Sequence, residues 1–252
     1  MNVFVAAKLV PDDQDIQIAS DRSLDYSKAK PTVSAYDLNA IEAAAQLAAA
    51  NDATLKVVTA GPASIDDSKL KKNLLARGTN ELVMAADDAL AGADALQTAK
   101  TLAKLIAGQG EFDLVVCGDG SADEYAQQVD VQVACQLGVP VVTAASRIEI
   151  KGNVLEADRV LEDEIQTVQV DLPAVVSVVP DIALPRIPGM KDILQAGKKP
   201  MNVGGAPCDA GAASVQVVSC AAPEPAPRKQ VIEDASQDGA IERFAQALKA
   251  AL

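Results

Sequence analysis

Two hydrophobic rhythms alternate along the first half of this chain. Short apolar, β-branched runs of strand length are each followed by a stretch in which apolar residues recur every three or four positions, the spacing of one helix face. Val3-Phe4-Val5-Ala6-Ala7 reads as the first strand, followed by a loop from Lys8 to Asp13 and a short extended piece from Ile16 to Ile18. Asp37 to Asn51 reads as a helix with Leu38, Ile41, Ala44, Ala45 and Leu47 on its inward face. Thr54 to Thr59 is the second main strand, broken by Ala60-Gly61-Pro62. Ser64 is placed to cap a helix that runs to Ala76 and ends at Arg77-Gly78, with Gly78 as the C′ residue. Glu81 to Met84 and Phe112 to Cys117 read as further strands, Ala93 to Ala107 and Ala126 to Leu137 as further helices. Val139-Pro140-Val141-Val142 leads into another strand. This repetition predicts an α/β fold with a doubly wound, Rossmann-like parallel sheet.

The rhythm then changes. Ser146 to Ile150, Val154 to Leu161 and Thr167 to Val170 alternate polar and apolar around Gly152-Asn153, which predicts a small antiparallel ribbon. Ala174 to Val179 has the composition of a buried strand. Pro180, Pro185 and Pro188 then predict irregular structure over a segment that still carries Ile187, Met190, Ile193 and Leu194. An apolar segment with no strand or long helix to bury it is a candidate contact for another protein. After Pro200 the chain reads as an extended tail: Gly204-Gly205, Gly211 and the run from Ala222 to Pro227 are linker-like. It closes in an amphipathic helix from Ala240 to Leu252, with Ile241, Phe244, Ala245 and Leu248 on one face. Residues 1–200 are thus expected as an α/β domain and 201–252 as a tail that docks on its own domain or on a partner.

Composition narrows the chemistry. About half of the 252 residues are apolar, yet there are only three Phe, three Tyr and no Trp, so the core must be aliphatic. A formal charge of −13 and no basic patch argue against nucleic acid and against anionic membrane. No apolar run reaches about 18 residues, so no membrane insertion is expected. No signal-peptide pattern opens the chain, and a cytoplasmic location is the simplest expectation. Histidine is absent altogether, which excludes a Ser-His-Asp triad, a Cys-His dyad or a His-ligated metal within this chain. Cys117, Cys135, Cys208 and Cys220 are widely spaced, a pattern of reduced thiols and not of a metal site.

In an open parallel sheet, ligands bind beyond the carboxyl ends of the strands. Three loops are expected there: Ala6-Ala7-Lys8, Ala60-Gly61-Pro62-Ala63, and Cys117 to Asp123 leading to Gln127-Gln128-Val129. Gly118 and Gly120 let a ligand approach the backbone, Ser121 offers a hydroxyl, and a helix N-terminus near Tyr125 and Ala126 suits an anion. Asp119, Asp123 and Glu124 repel phosphate and suit ribose hydroxyls or helix capping. A plain Gly-rich turn capped by Asp123 is the structural alternative. There is no GxGxxG and no Walker lysine.

Five separated motifs, VAAKLVPD, DLNAIEAA from Asp37, AGPA from Ala60, GDGSADEYAQQV and LPAVV…KKP, occur in the order found in the β subunits of electron transfer flavoproteins. The chain resembles that family over residues 1 to 200, closest to its FixA-like branch, where YDLNAIEA, LEDE and IPxMKxIL run together. The resemblance implies a heterodimer with an α subunit that holds most of the FAD. It also implies an adenine nucleotide in this chain, either AMP or a second FAD that accepts hydride from NADH in electron-bifurcating members. Its nucleotide-site positions fall on Ala6, Lys8, Asn39, Ala60, Gly61, Cys117, Gly118, Ser121, Asp123, Gln127, Gln128 and Val129.

The segment around 183–199 resembles the family's recognition loop. Arg186, Ile187, Met190, Lys191 and Ile193 are then partner contacts, with Arg186, Lys191, Lys198 and Lys199 forming a positive rim. Three positions carry subgroup meaning or depart from the pattern. Val129 stands where simple members tend to have Thr. Asp130 stands where most have Gly. Gln166 stands where the family usually has a Glu that pairs with the mobile FAD domain.

The resemblance implies an electron carrier and not an enzyme with its own acid–base machinery. An acyl-CoA-type dehydrogenase or reductase is its partner, in carnitine-related metabolism by subgroup analogy. The rival reading from another class is a nucleotide-binding stress or regulatory protein, homodimeric and without a redox role. A nucleotide-dependent ligase of related fold lacks its Ser-Gly-Gly loop here.

Overall fold

Strand β1 (Asn2–Ala6) leads through the short strands β2 (Leu9–Pro11), β3 (Gln17–Ile18), β4 (Leu24–Asp25) and β5 (Pro31–Val33) into helix α1 (Ala35–Ala50). β6 (Thr54–Gly61), α2 (Ser68–Leu75), β7 (Glu81–Ala86), α3 (Ala95–Ala107), β8 (Leu114–Gly118) and α4 (Val129–Leu137) follow. Then come β9 (Val141–Lys151), β10 (Val154–Val160), β11 (Ile165–Asp171), β12 (Ala174–Val178), α5 (Met190–Ala196), β13 (Met201–Gly204) and α6 (Ala240–Ala251). The computed structural model describes residues 1–209, 211–224 and 234–251. It divides into two units, Met1–Gln17 with Asp25–Ser219, and Ile18–Leu24 with Cys220–Leu252.

Among the described residues, nine strands of the first unit form one sheet in the order β11-β10-β9-β12-β8-β1-β6-β7-β13. The neighbours from β12 to β13 are parallel, and β9, β10 and β11 pair antiparallel. This is the mixed α/β, doubly wound architecture with an antiparallel extension. Period-two alternation builds two cores. Val3 and Val5 face one layer with Ile41 and Ala44 of α1 and Leu74 of α2. Phe4 and Ala6 face the other with Leu102 and Ile106 of α3 and Val133 of α4. Small alanines along α1 let that helix lie close on the sheet, as an aliphatic core requires.

The ribbon is continuous with the parallel sheet. The first part of β9 pairs with β12 through Val141 and Val142, and the rest pairs with β10 up to Lys151 at the Gly152-Asn153 turn. Arg147 bridges to Asp158 at 2.6 Å and Glu156 at 2.9 Å across that pair.

Several local expectations change. Ser64 caps nothing: it lies in a short 3₁₀ turn, Ala63–Ile65, and Asp67 caps α2 by accepting from the Lys69 and Leu70 N–H groups at 2.8 and 3.0 Å. Helix α4 begins at Val129 and not at Ala126, because Tyr125 and Gln127 take positive φ angles of 45° and 53°. The stretch after β12 is less irregular than its prolines predict. It holds a 3₁₀ turn at Pro180–Ile182 and the helix α5, whose first turn is tied by Asp192 accepting from Gly189 N–H at 2.9 Å. Beyond Pro200 the chain first adds β13 to the sheet beside β7, and the first unit runs on to Ser219.

In the second unit, Ala222 N–H donates to the Arg22 carbonyl at 2.9 Å and Arg22 pairs with Glu224 at 3.2 Å. Its helix α6 carries Ile241, Phe244 and Leu248 exposed. Pro225 to Pro227 of the expected linker, and Leu252, lie outside the described residues.

Candidate functional site

The chain leaves β1 toward β6 and β7 on one side and places β8 and β12 on the other. The reversal between β1 and β8 opens a crevice beyond their carboxyl ends. A cleft lies there, walled by the ends of β1 and β8, the loop before α4, the first turn of α4, and Thr98 and Leu102 of α3. Its space, open mouth included, is about 780 Å³.

Asp37 ties the two loops together. From the first turn of α1 its Oδ2 accepts the Lys8 N–H at 2.7 Å, and its carboxylate also takes the Gly118 N–H. Burial pushes its pKa up to about 7, although both backbone donors work in the opposite direction. Gly118 is required beside it. A Cβ there would lie 2.7 Å from Asp37 Oδ1 and 3.2 Å from the Tyr36 carbonyl carbon.

The loop from Asp119 to Gln128 is held at several points. Ser34, just before α1, does not cap its own helix; its Oγ accepts the Ala122 N–H at 3.2 Å. Lys8 Nζ pairs with Asp123 at 2.9 Å and Glu124 at 3.0 Å. Burial pulls the Lys8 ammonium down, and the two carboxylates together hold it above its ordinary value. The Tyr125 hydroxyl donates to Asp119 Oδ2 at 3.0 Å, and its ring packs on Tyr36 with centroids 5.0 Å apart. Gly120 makes room for that ring, since a Cβ there would sit 2.3 Å from it. Burial raises the Asp119 pKa against the pull of the Tyr125 hydroxyl. Its Oδ1 is buried with no hydrogen-bond partner.

Ala6, Lys8, Ala60, Cys117, Gly118, Ser121, Gln127, Gln128 and Val129 line this cleft together. Asn39, Gly61 and Asp123 do not. The Asn39 amide donates to the Pro180 and Ala183 carbonyls, both at 2.8 Å, and so braces the chain after β12. Gly61 ends β6 against Ile65. Asp123 stands outside the wall and engages Lys8. Sequence reasoning missed Asp37, whose place in a first helical turn looks like an ordinary dipole-complementing acid. It also missed Thr98 and Leu102, which show no signal beyond helix periodicity.

The second candidate surface is the stretch from Ile182 to Lys199. Leu184, Ile187 and Met190 are 91%, 94% and 77% exposed, with Leu194 and Ile193 beside them and Lys191 also exposed. The base of the segment is fixed. Arg186 binds the buried Glu42 carboxylate of α1 through Nε at 2.6 Å and its other nitrogen at 2.9 Å. Arg77 donates to the Arg186 carbonyl at 2.7 Å. Lys199 is drawn out of the expected positive rim: its Nζ caps α2 by donating to the Leu75 and Thr79 carbonyls at 2.7 and 2.6 Å. Gln166 lies apart on the edge strand β11, where its amide donates to Glu164 at 2.6 Å.

Among the described residues no cluster of His, Cys, Asp or Glu has metal-binding geometry, and no helix is long and apolar enough to cross a membrane. A family model for the electron transfer flavoprotein domain matches residues 24–207, a span that takes in the second surface and the cleft apart from its wall at Ala6, Ala7 and Lys8. Proteins with this domain are electron carriers and not classical enzymes. By that match, the chain belongs to the electron transfer flavoprotein domain family.

Proposed function

We propose that this chain is the β subunit of a heterodimeric electron transfer flavoprotein of the FixA-like branch. It pairs with an α subunit that holds most of the FAD, and it passes electrons between dehydrogenases, among them an acyl-CoA-type dehydrogenase or reductase in carnitine-related metabolism. The cleft at the β1–β8 switch point then holds an adenine nucleotide, AMP or a second FAD. Its place beyond the carboxyl ends of the strands supports this, as do Ser121, Gln127 and Gln128, which line it and have side chains able to hydrogen-bond a ribose or an adenine. The flavin supplies the redox chemistry when bound. The residues of this chain bind, orient and exclude water.

The observation that carries this reading is the contrast within the segment from Ile182 to Lys199. An apolar tip of Leu184, Ile187 and Met190 stands in solvent on a base clamped by Arg186–Glu42 and Lys199. A stiff base lowers the ordering cost of docking. A flexible, polarizable Met at the tip suits an apolar pocket on a client. Lys191 and Lys198 supply charge for steering an acidic partner.

Expression of the chain alone and together with its α-subunit gene tests this. A yellow 1:1 heterodimer is the expected product. One FAD and one AMP released on denaturation identify a simple carrier, and two FAD identify a bifurcating one. A colourless, ATP-binding homodimer indifferent to co-expression overturns the reading in favour of a regulatory nucleotide-binding protein.

A further inference from the structure

Two tethers bracket a single exposed leucine shortly after β12. Asn39, near the start of α1, donates both hydrogens of its side-chain amide to backbone carbonyls 141 and 144 residues away, those of Pro180 and Ala183, each at 2.8 Å. Just beyond Ala183 the chain is bound to α1 again: the Arg186 backbone N–H and its Nε both donate to the Glu42 carboxylate, at 3.2 and 2.6 Å. Arg77, just past α2, donates to the Arg186 carbonyl at 2.7 Å. Asn39 and Glu42 stand three positions apart on α1, so one helix face holds both ends of the span from Ala183 to Arg186. Inside that span Pro185 fixes its own φ and restricts the backbone of the residue before it. That residue is Leu184, 91% exposed. Met190 is mounted differently. It opens α5, whose first turn is tied by Asp192 accepting the Gly189 N–H, and the bonds from Asn39, Glu42 and Arg77 end before it, at Arg186.

An exposed leucine on a loose loop is an ordinary surface residue. The backbone carrying Leu184 has lost its freedom before any partner arrives, which lowers the ordering cost of a contact made there. We infer that Leu184 is a second, separate anchor for a client protein and that Asn39 is its positioning residue. This rests on the docking reading of the stretch and deepens it. The client it fits has an apolar pocket for Leu184 in addition to one for Met190, with acidic residues around them. Lys191 and Lys198, both exposed, form no ion pair among the described residues of a chain whose net charge is −13, and so are left to meet those acids. Asn39 thereby serves docking and not the nucleotide cleft, whose wall it does not join.

Electron transfer between the heterodimer and an acyl-CoA dehydrogenase, followed against heterodimer concentration, tests this. Leu184→Ala and Met190→Ala are each expected to raise KM by about tenfold with kcat and nucleotide content unchanged. Asn39→Ala is expected to raise KM by about threefold, and Asn39→Asp, which keeps the shape but replaces both donors by an acceptor, by more. Because Asn39 acts through Leu184, its effect should vanish in the Leu184→Ala background and persist in the Met190→Ala background. Hydrogen exchange of the full chain gives a readout that needs no client: the segment 181–187 should exchange faster in Asn39→Ala, with Lys8 and Gly118 unchanged. An Asn39→Ala effect that survives intact in Leu184→Ala, or loss of nucleotide from Asn39→Ala, overturns the positioning role. Leu184→Ala without effect while Met190→Ala raises KM overturns the second anchor and leaves the docking reading standing; that comparison decides the matter if Asn39→Ala does not fold. Neither variant altering KM overturns the inference and the docking reading together. Self-association of the chain that Leu184→Ala abolishes assigns the leucine to a second copy and overturns the inference as well.

Discussion

Arg186 and Glu42 lie 144 residues apart in sequence and meet in a two-pronged ion pair, 2.6 and 2.9 Å, that fixes the chain after β12 to α1. Glu42 is buried and Arg186 is half exposed, so the carboxylate depends on the guanidinium more than the reverse. Arg186, helped by Gln46 and against the upward push of burial, holds the Glu42 pKa below its ordinary value. Removing the arginine alone leaves a buried charge short of donors. Arg186→Ala is expected to cost about 1–3 kcal/mol in urea unfolding. Glu42→Ala with Arg186→Ala together should cost less than the sum of the singles. Additive costs would show that the pair is not coupled.

The titration of Asp37 sets a pH dependence with a definite sign. Its folded pKa is about 7, against about 3.9 in an unfolded chain. Between those values the folded state binds more protons, so stability falls as pH rises through the window and levels off above it. The raised Asp119 acts in the same direction. The urea midpoint should be higher near pH 5 than near pH 8, by an energy on the order of a few kcal/mol at most. Asp37→Asn should flatten most of that slope. A wild-type midpoint that climbs steadily from acid to neutral pH would contradict this.

Two glycines of the cleft differ in what surrounds them. At Gly118 a methyl group meets a buried carboxylate and backbone. Gly118→Ala should lower stability by about 1–3 kcal/mol. At Gly120 the atoms nearest the methyl are those of the exposed Tyr125 ring. Gly120→Ala should leave the unfolding midpoint nearly unchanged while releasing the ring from Tyr36 and, on the adenine-nucleotide proposal, weakening nucleotide retention. Equal losses of stability in the two variants would count against this assignment of roles.

Met190 and Ile187 contribute almost nothing to the core of this chain. Met190→Ala should change stability by less than about 0.5 kcal/mol. On the electron-carrier proposal it slows electron delivery to the dehydrogenase with flavin content unchanged. Loss of flavin instead would assign Met190 a packing role.

On the heterodimer proposal, Gln166 offers a test of how the α subunit's flavin domain is held. Its amide donates to Glu164, just before the edge strand β11. Restoring a charge with Gln166→Glu should alter the domain orientation of the heterodimer in solution scattering. Identical scattering from the two proteins would remove Gln166 from the proposed contact.

The strands and helices legible in the sequence are those whose apolar period is set by the two-sided core. Val3 and Val5 against Phe4 and Ala6 is a pattern that only a sheet covered on both faces produces. What stayed hidden was decided by contacts distant in sequence. β13 is four residues long, too short to show a period, and exists because β7 offers it an edge. α4 starts late because Tyr125 turns back to reach Asp119 and Tyr36, which no local preference announces. In the cleft, the glycines and the lysine could be read from their loop. The knot made by Asp37 could not, since it depends on Lys8 and Gly118 arriving at one carboxyl from two strands. Lys199 and Arg186 looked like free surface charge, and each is engaged by the end or flank of a helix far away in the chain.

Because Lys199 grips the carbonyl end of α2 while Arg186 grips α1, the stretch bearing Met190 is a cantilever anchored in two helices that share one core layer. On the docking proposal, a client seated on its tip would take its distance from the sheet from those two anchors.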